Sequence, residues 1–451
     1  MTPRINVIGA GLAGCEAAYV ASRLGVAVDL YEMKPSKFTP AHKYSGFAEL
    51  VCSNSLRSNQ VYNAVGLLKE ELSVLGSLVM EAAHATAVPA GTALAVDRVR
   101  FSDYITEKIR ENPLITVHSG IEVTEIPRDG ITVVASGPLT DGALAEDILK
   151  LIGRDTLYFY DAAAPIVDAS SIDFDKAYFA SRYGKGESDD YVNCPMTREE
   201  YEAFFDALVH AEEAKLHEFD APSGKEPRVF EGCMPVEVMA KRGVDTLLFG
   251  PLKPVGLPDP KTGREPYAVV QLRAENREKT MYNLVGFQTH LTFPEQRRVF
   301  RMIPGLQSAE FLRYGVMHRN TYLCSPGLLT DTYSLAEKET VFFAGQMTGV
   351  EGYVESTGSG FVAGVSAARL ALGLASLSFP KETMLGAMAN YVSVGSATAF
   401  QPMNANFGIV PPLEKKVKGG KSARNDAYAE RALSLVREFK GKIFETPKEN
   451  V

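Results

Sequence analysis

The spacing Gly9-x-Gly11-x-x-Gly14, set between an apolar run and a small-residue stretch, constrains the N-terminal fold more than any other feature. Ile5-Asn6-Val7-Ile8 has the character of a short buried strand, and Ala17, Ala18 and Ala21 suit a helix packed close to a sheet. A second strand over Val26–Leu30 runs on through Tyr31 to Glu32, which completes a βαβ unit. Glycine at the first position permits the tight turn, and at the second it lets backbone N–H groups approach a pyrophosphate. The third lets helix and strand pack closely, while the helix N-terminus attracts the anion. Ala10, Leu12 and Ala13 fill the rest of the turn, and Glu32 follows Gly14 by eighteen residues, placed to accept hydrogen bonds from a ribose diol. The unit predicts dinucleotide binding. Adenosylmethionine enzymes use a related turn, so the motif alone does not choose the cofactor.

Further along, Asp129-Gly130 marks a turn before an apolar strand at Ile131–Ala135, and another strand is expected at Leu157–Tyr160. Thr197 and Glu200 form a capping box for a helix with an apolar stripe of Tyr201, Phe204, Phe205 and Leu208. Composition turns more polar from 172 to 311, and Leu252–Pro266, with four prolines and two glycines, reads as loop. The small-residue α/β style returns with the strand Thr340–Ala344, a turn through Gly345, Gln346, Gly349 and Tyr353, and an alanine-rich helix beginning near Gly358-Ser359-Gly360. The expected fold is α/β: a Rossmann-like FAD-binding domain in two parts, 1–171 and 312–372, interrupted by an inserted mixed α/β domain at 172–311. A C-terminal tail, 373–451, carries the basic run Lys415–Arg424. The second glycine turn matters because FAD is long enough to need contacts from both ends of such a chain.

Composition narrows the function classes. The 451 residues are 45% hydrophobic and 23% charged, which is ordinary globular usage and excludes a wholly disordered chain. No stretch of about eighteen uninterrupted apolar residues is present, so no membrane span is expected. A formal charge of −8 permits RNA binding only through a local basic patch. The five cysteines are scattered without a CxxC pair, which suits reduced cytoplasmic thiols and argues against a flavin-dependent thiol–disulfide oxidoreductase. The seven histidines show no HxxxH or HExxH spacing, so no metal is expected. Cys52, in the polar segment Val51–Arg57, and Cys233, beside glycine and proline in Glu231–Glu237, are candidate reactive thiols. Cys15, on the packing helix, reads as structural.

Assembled, these residues resemble the bacterial folate- and flavin-dependent tRNA uracil-5-methyltransferase family. The likeness runs from the Gly9–Gly14 turn through Pro40-Ala41-His42, Val51–Leu56, Val88–Gly91 and Ala93–Arg98, then Asn193–Thr197, Gly286–Thr289, Tyr314–Thr321 and Gly352–Ser356, covering roughly residues 4 to 412. The Phe342–Tyr353 turn also resembles a larger flavoprotein that modifies the tRNA wobble uridine. The resemblance implies FAD as cofactor, methylenetetrahydrofolate as carbon donor and NADH or NADPH as reductant. It implies a T-loop uridine of tRNA as substrate, with Cys233 as the nucleophile at uracil C6 and Cys52 as the second catalytic cysteine. It implies a cytoplasmic enzyme. Two alternatives keep the cofactor: the same chemistry on a ribosomal RNA uridine, or a non-catalytic RNA-binding flavoprotein. Tyr353, His318, Arg319 and Asn320 are expected near the site, and Lys241-Arg242 and Lys415–Arg424 are candidates for RNA phosphates.

Overall fold

The computed structural model describes residues 3–153, 157–162, 164–184, 190–214, 234–395, 397, 400–415 and 417–445. The N-terminal elements are β1 (Arg4–Ile8), α1 (Leu12–Arg23), β2 (Ala27–Glu32), β3 (Ser55–Ser58), α2 (Ala64–Leu75), α3 (Leu78–Ala85), β4 (Ala87–Val88), β5 (Ala93–Val96), α4 (Arg98–Glu111), β6 (Ile115–Ser119) and β7 (Thr132–Val134). The middle holds α5 (Gly142–Ile152), β8 (Leu157–Ala162), β9 (Ile166–Asp168), β10 (Tyr178–Phe179), β11 (Tyr191–Met196), α6 (Arg198–Val209), α7 (Val236–Ala240), β12 (Ala268–Ala274), β13 (Met281–Leu284), α8 (Phe293–Phe300) and β14 (Phe311–Arg313). The chain closes with β15 (Met317–Tyr322), β16 (Ser334–Leu335), β17 (Lys338–Phe343), α9 (Tyr353–Ala371), α10 (Met384–Val394) and α11 (Gly420–Ile443).

The first sheet has the order β16-β17-β7-β1-β2-β6, parallel except for β16. Its central strand β1 buries Ile5, Val7 and Ile8 on both faces, which is why it reads as a continuous apolar run and not an alternating one. The second sheet is antiparallel, β10-β11-β12-β13-β9-β14, with its strands between Ile166 and Arg313. Between the two, β8 pairs with β15 as a two-stranded link. The α/β class with a Rossmann-type parallel sheet is therefore present. The capping box at Thr197 and Glu200 opens α6 as expected, with Tyr201, Phe204 and Leu208 buried.

Two expectations from sequence are corrected. The helix expected to begin near Gly358 starts at Tyr353 and carries its glycines inside. Those glycines are contact points: a Cβ on Gly360 would lie 2.3 Å from the Ala13 carbonyl oxygen, and one on Gly364 would lie 2.6 Å from Ala17 Cα. Glycine, a helix breaker by propensity, is here what lets α9 and α1 touch backbone to backbone. The C-terminal stretch is likewise more than a tail, since α11 buries Ala429, Ala432, Val436, Phe439 and Ile443 in the same hydrophobic core as the strands of the first sheet.

Candidate active site at the strand ends

A cavity of about 420 Å³ opens at the carboxyl ends of the parallel strands. Its wall takes Gly9–Ala13 after β1, Glu32 to Lys34 at the end of β2, Ala135–Leu139 after β7, and Gly345 and Gln346 after β17. Ligands of open α/β sheets bind at these ends, where successive βα turns diverge. Arg273 of β12, Asn283 of β13 and Gln288 line it as well.

The turn after β1 fits a pyrophosphate. Gly9 has φ +98°, and a Cβ there would sit 2.5 Å from the Ala135 carbonyl oxygen. At Gly11 a Cβ would meet nothing within 4 Å, so the missing side chain keeps that approach clear. Gly11 is also the N-cap of α1 and offers no side-chain cap, leaving the first N–H groups of the helix to a ligand. Gly14 does not line the cavity. A Cβ there would fall 1.8 Å from the Gly9 oxygen, so it serves the close approach of helix and turn. Glu32, only 7% exposed, accepts the Ala10 N–H at 2.8 Å and the Lys34 N–H at 2.9 Å, binding the strand end to the turn while facing the cavity.

From the second turn, Gly345 and Gln346 line the wall; the Gly345 N–H donates to Ser359 Oγ (2.8 Å) and the Gln346 amide to Glu351 Oε1 (2.7 Å). Gly349 is not on the wall, and a Cβ there would lie 2.4 Å from the Phe400 ring, so it is a packing position. Two helix N-termini, of α1 and α9, thus meet at one cavity.

Cys52 lies on the same wall, in a segment held at several main-chain groups. The Tyr353 hydroxyl oxygen accepts the N–H of Cys52 (2.7 Å) and of Ser53 (3.2 Å). Arg98, at the start of α4, donates to the carbonyls of Leu50 and Cys52, and Arg313 of β14 donates to that of Val51. Arg273 of β12 binds Ser53 Oγ at 2.8 Å and Asn54 Oδ1 at 3.0 Å, and Asn54 in turn donates to the Val96 and Ala274 carbonyls. Arg98 is charge-balanced by a buried two-point pair with Glu275, which holds its guanidinium well above the usual range. Residues of α4, α9, β12 and β14 therefore hold this segment together, and a thiol on it keeps a fixed place in the cavity.

Cys233 falls outside the described residues. Cys15 and Cys194 are fully buried in the two cores, and burial pushes both thiols up. Of the other expected residues, Asn320 lines the cavity and is 4% exposed, whereas the side chains of His318 and Arg319 lie outside the described residues. Lys241 is already paired with Glu213. Among the described residues no group of three or more His, Cys, Asp or Glu could hold a metal, and no helix is long and apolar enough to cross a membrane.

Sequence reasoning missed the clamp of Arg98, Arg273 and Arg313. The one available signal was Arg273, a charge inside the mostly apolar strand Ala268–Ala274. It also missed Asn283, 3% exposed on the cavity wall, whose Nδ2 has no hydrogen-bond partner among the described residues. A buried amide donor left open toward a cavity is costly unless a ligand accepts from it.

His42, on the wall, contacts Thr39 Oγ1 through Nδ1 at 2.6 Å. Burial first, then the charge of Lys34, holds its imidazole down at about 4. The unfolded chain takes up this proton near 6.5 and the folded chain does not, so the folded state is penalised as pH falls from 6.5 towards 4 and not above. The melting temperature of the wild type should drop more steeply over that window than that of His42→Gln. Parallel melting curves for the two proteins would refute this origin of the acid sensitivity.

The family model for glucose inhibited division protein A matches residues 4–375. The chain belongs to this family. A Lactobacillus johnsonii protein named methylenetetrahydrofolate--tRNA-(uracil-5-)-methyltransferase TrmFO is 59% identical over 440 residues, covering 98% of this chain and 99% of that one. A protein of the same name from Acetivibrio thermocellus is 59% identical over 442 residues, covering 98% and 100%. GidA of Aquifex aeolicus, whose crystal structure covers 98% of this chain and 74% of its own, superposes with a TM-score of 0.67 at 16% identity, a likeness of fold.

Proposed function

We propose that this chain is a methylenetetrahydrofolate- and FAD-dependent tRNA uracil-5-methyltransferase that converts a T-loop uridine to 5-methyluridine, with NADH or NADPH as reductant. The near-complete match to relatives named for this activity supports the reaction class. The observation that carries the site is the shared cavity: the nucleotide turn and the clamped Cys52 segment face the same space.

Gly9–Ala13 and the α1 N-terminus would hold the pyrophosphate of FAD, Glu32 would accept from its ribose, and Gly345, Gln346 and Tyr353 would contribute to holding the rest of the cofactor. FAD, when bound, supplies the redox and one-carbon chemistry that links the folate and the reductant to the base. Uracil C5 is a poor nucleophile until a thiolate adds at C6, which places the electron pair on C5 as an enolate. Cys233 makes that bond. Once C5 has taken up the one-carbon unit at the methylene level, Cys52 removes the C5 proton and the released pair expels the unit's carrier, leaving an exocyclic methylene. A hydride equivalent from the reductant then turns this carbon into methyl, the displaced pair re-forms the C5–C6 double bond and the Cys233 thiolate leaves. Arg98 and Arg313 stand close enough to Cys52 to interact with its charge. The exposed Lys415 and Lys418 just before α11, with Lys421 and Arg424 in its first turns, can meet tRNA phosphates, which position RNA without reading its sequence.

The test supplies the purified yellow protein, an unmodified tRNA transcript, NADPH and methylenetetrahydrofolate labelled in its one-carbon unit, with labelled adenosylmethionine in a parallel reaction. Digestion should yield labelled 5-methyluridine from the folate alone. Label from adenosylmethionine, or none in tRNA but some in a ribosomal RNA fragment, would overturn the proposed donor or substrate respectively.

A further inference from the structure

Apart from the cavity, the second domain carries a concave surface of about 560 Å³ bounded by Phe293, Pro294, Arg297, Arg298, Arg301 and Tyr314. Three rings form a column there. Phe311 and Tyr314 stack with centroids 5.3 Å apart and planes 13° apart, and Tyr314 and Phe293 stack at 4.6 Å and 15°. The outermost ring, Phe293, is 51% exposed. Arg297 donates to the Tyr314 hydroxyl at 2.7 and 3.1 Å, and Arg301 to the Ala309 carbonyl at 2.8 and 3.1 Å. Arg298 is neutralised by Glu295, but no carboxylate of the described residues forms an ion pair with Arg297 or Arg301.

We propose that this surface receives the RNA substrate, with an unpaired nucleobase continuing the ring column over Phe293 and its phosphates meeting Arg297 and Arg301. The inference rests on the functional reading above and deepens it. An exposed aromatic ring beside guanidinium groups that no carboxylate of the described residues neutralises, on a chain of net charge −8, is complementary to a single-stranded nucleic acid, whose bases stack and whose backbone is anionic. Continuity with the site gives the second argument. Tyr314 adjoins Arg313, which grips the Val51 carbonyl one residue from Cys52, so RNA seated on the column lies beside the cavity.

The experiment measures binding of an unmodified tRNA transcript to the FAD-loaded enzyme across a range of salt concentrations. Phe293→Ala should weaken binding on the order of tenfold at unchanged salt slope, and Phe293→Trp should restore it. Arg297→Gln/Arg301→Gln should lower the salt slope by about one to two. Flavin content, and flavin reduction by NADPH without tRNA, should match the wild type in all variants. Wild-type affinity and slope in both the Ala and the Gln variants would overturn the proposal, also if sedimentation showed the surface to be a contact between two copies of the chain. If Phe293→Ala loses its flavin, the paired Gln variant decides alone. A wild-type enzyme that binds no tRNA would overturn the functional reading itself, whereas tRNA binding untouched by these variants overturns only this surface.

Discussion

Cys52→Ser is expected to lower formation of 5-methyluridine by roughly a thousandfold, within the range a positioned proton-transfer group contributes, while the protein still purifies with FAD. The geometry separates these two effects. The contacts that hold the segment, from Tyr353, Arg98 and Arg313, all go to its main chain and do not depend on the sulfur. Serine therefore keeps the backbone where it is, and what disappears is a thiol able to take a proton. The nucleotide turn is built from Gly9–Ala13 and the N-terminus of α1, which Cys52→Ser leaves unaltered, so flavin absorbance per polypeptide should be unchanged. Substantial methylation by Cys52→Ser, at a tenth of the wild-type rate or better, would remove Cys52 from the chemistry and leave it a wall residue.

Gly360→Ala is expected to act on the fold and the cofactor together. A Cβ at 360 would stand 2.3 Å from the Ala13 oxygen and 2.6 Å from Ala13 Cα. Both are backbone atoms, so no side chain can rotate away and one helix has to move. Overpacking of this kind costs about 3 kcal/mol or more, and α1 carries the Gly9–Gly14 turn at its N-terminus. The variant should melt several degrees lower and hold less than half the FAD of the wild type. Full flavin occupancy with an unchanged melting temperature would mean that the helix contact can yield without disturbing the turn.

The contrast between these two positions shows what the sequence could convey. The turn at Gly9 was legible because its physics is local: three glycines at fixed spacing, a strand before, a helix after, and an acid at the next strand end. Gly360 and Gly364 have the same residue type but a tertiary cause. Their partners, Ala13 and Ala17, lie more than three hundred positions away, so the glycines read as a helix boundary instead of a helix contact. The same holds for the clamp. Arg98, Arg273 and Arg313 come from α4, β12 and β14, far apart in the chain, and meet at one segment only in the folded protein. Val51–Asn54 itself looked like an irregular polar segment, and irregular it is; its order comes from elsewhere in the chain. The C-terminal helix was obscured for another reason: its buried stripe relies on Ala429 and Ala432, which carry little hydrophobic signal.

The most direct test of the account follows the hydrogen that Cys52 is assigned to remove. A tRNA transcript bearing tritium at uracil C5 is incubated with the FAD-loaded enzyme, methylenetetrahydrofolate and NADPH, and tritium in water is counted beside 5-methyluridine in the digest. The account predicts one tritium released for each methyl group gained, with neither event in Cys52→Ser. Methylation that proceeds with stoichiometric tritium release in that variant would contradict it.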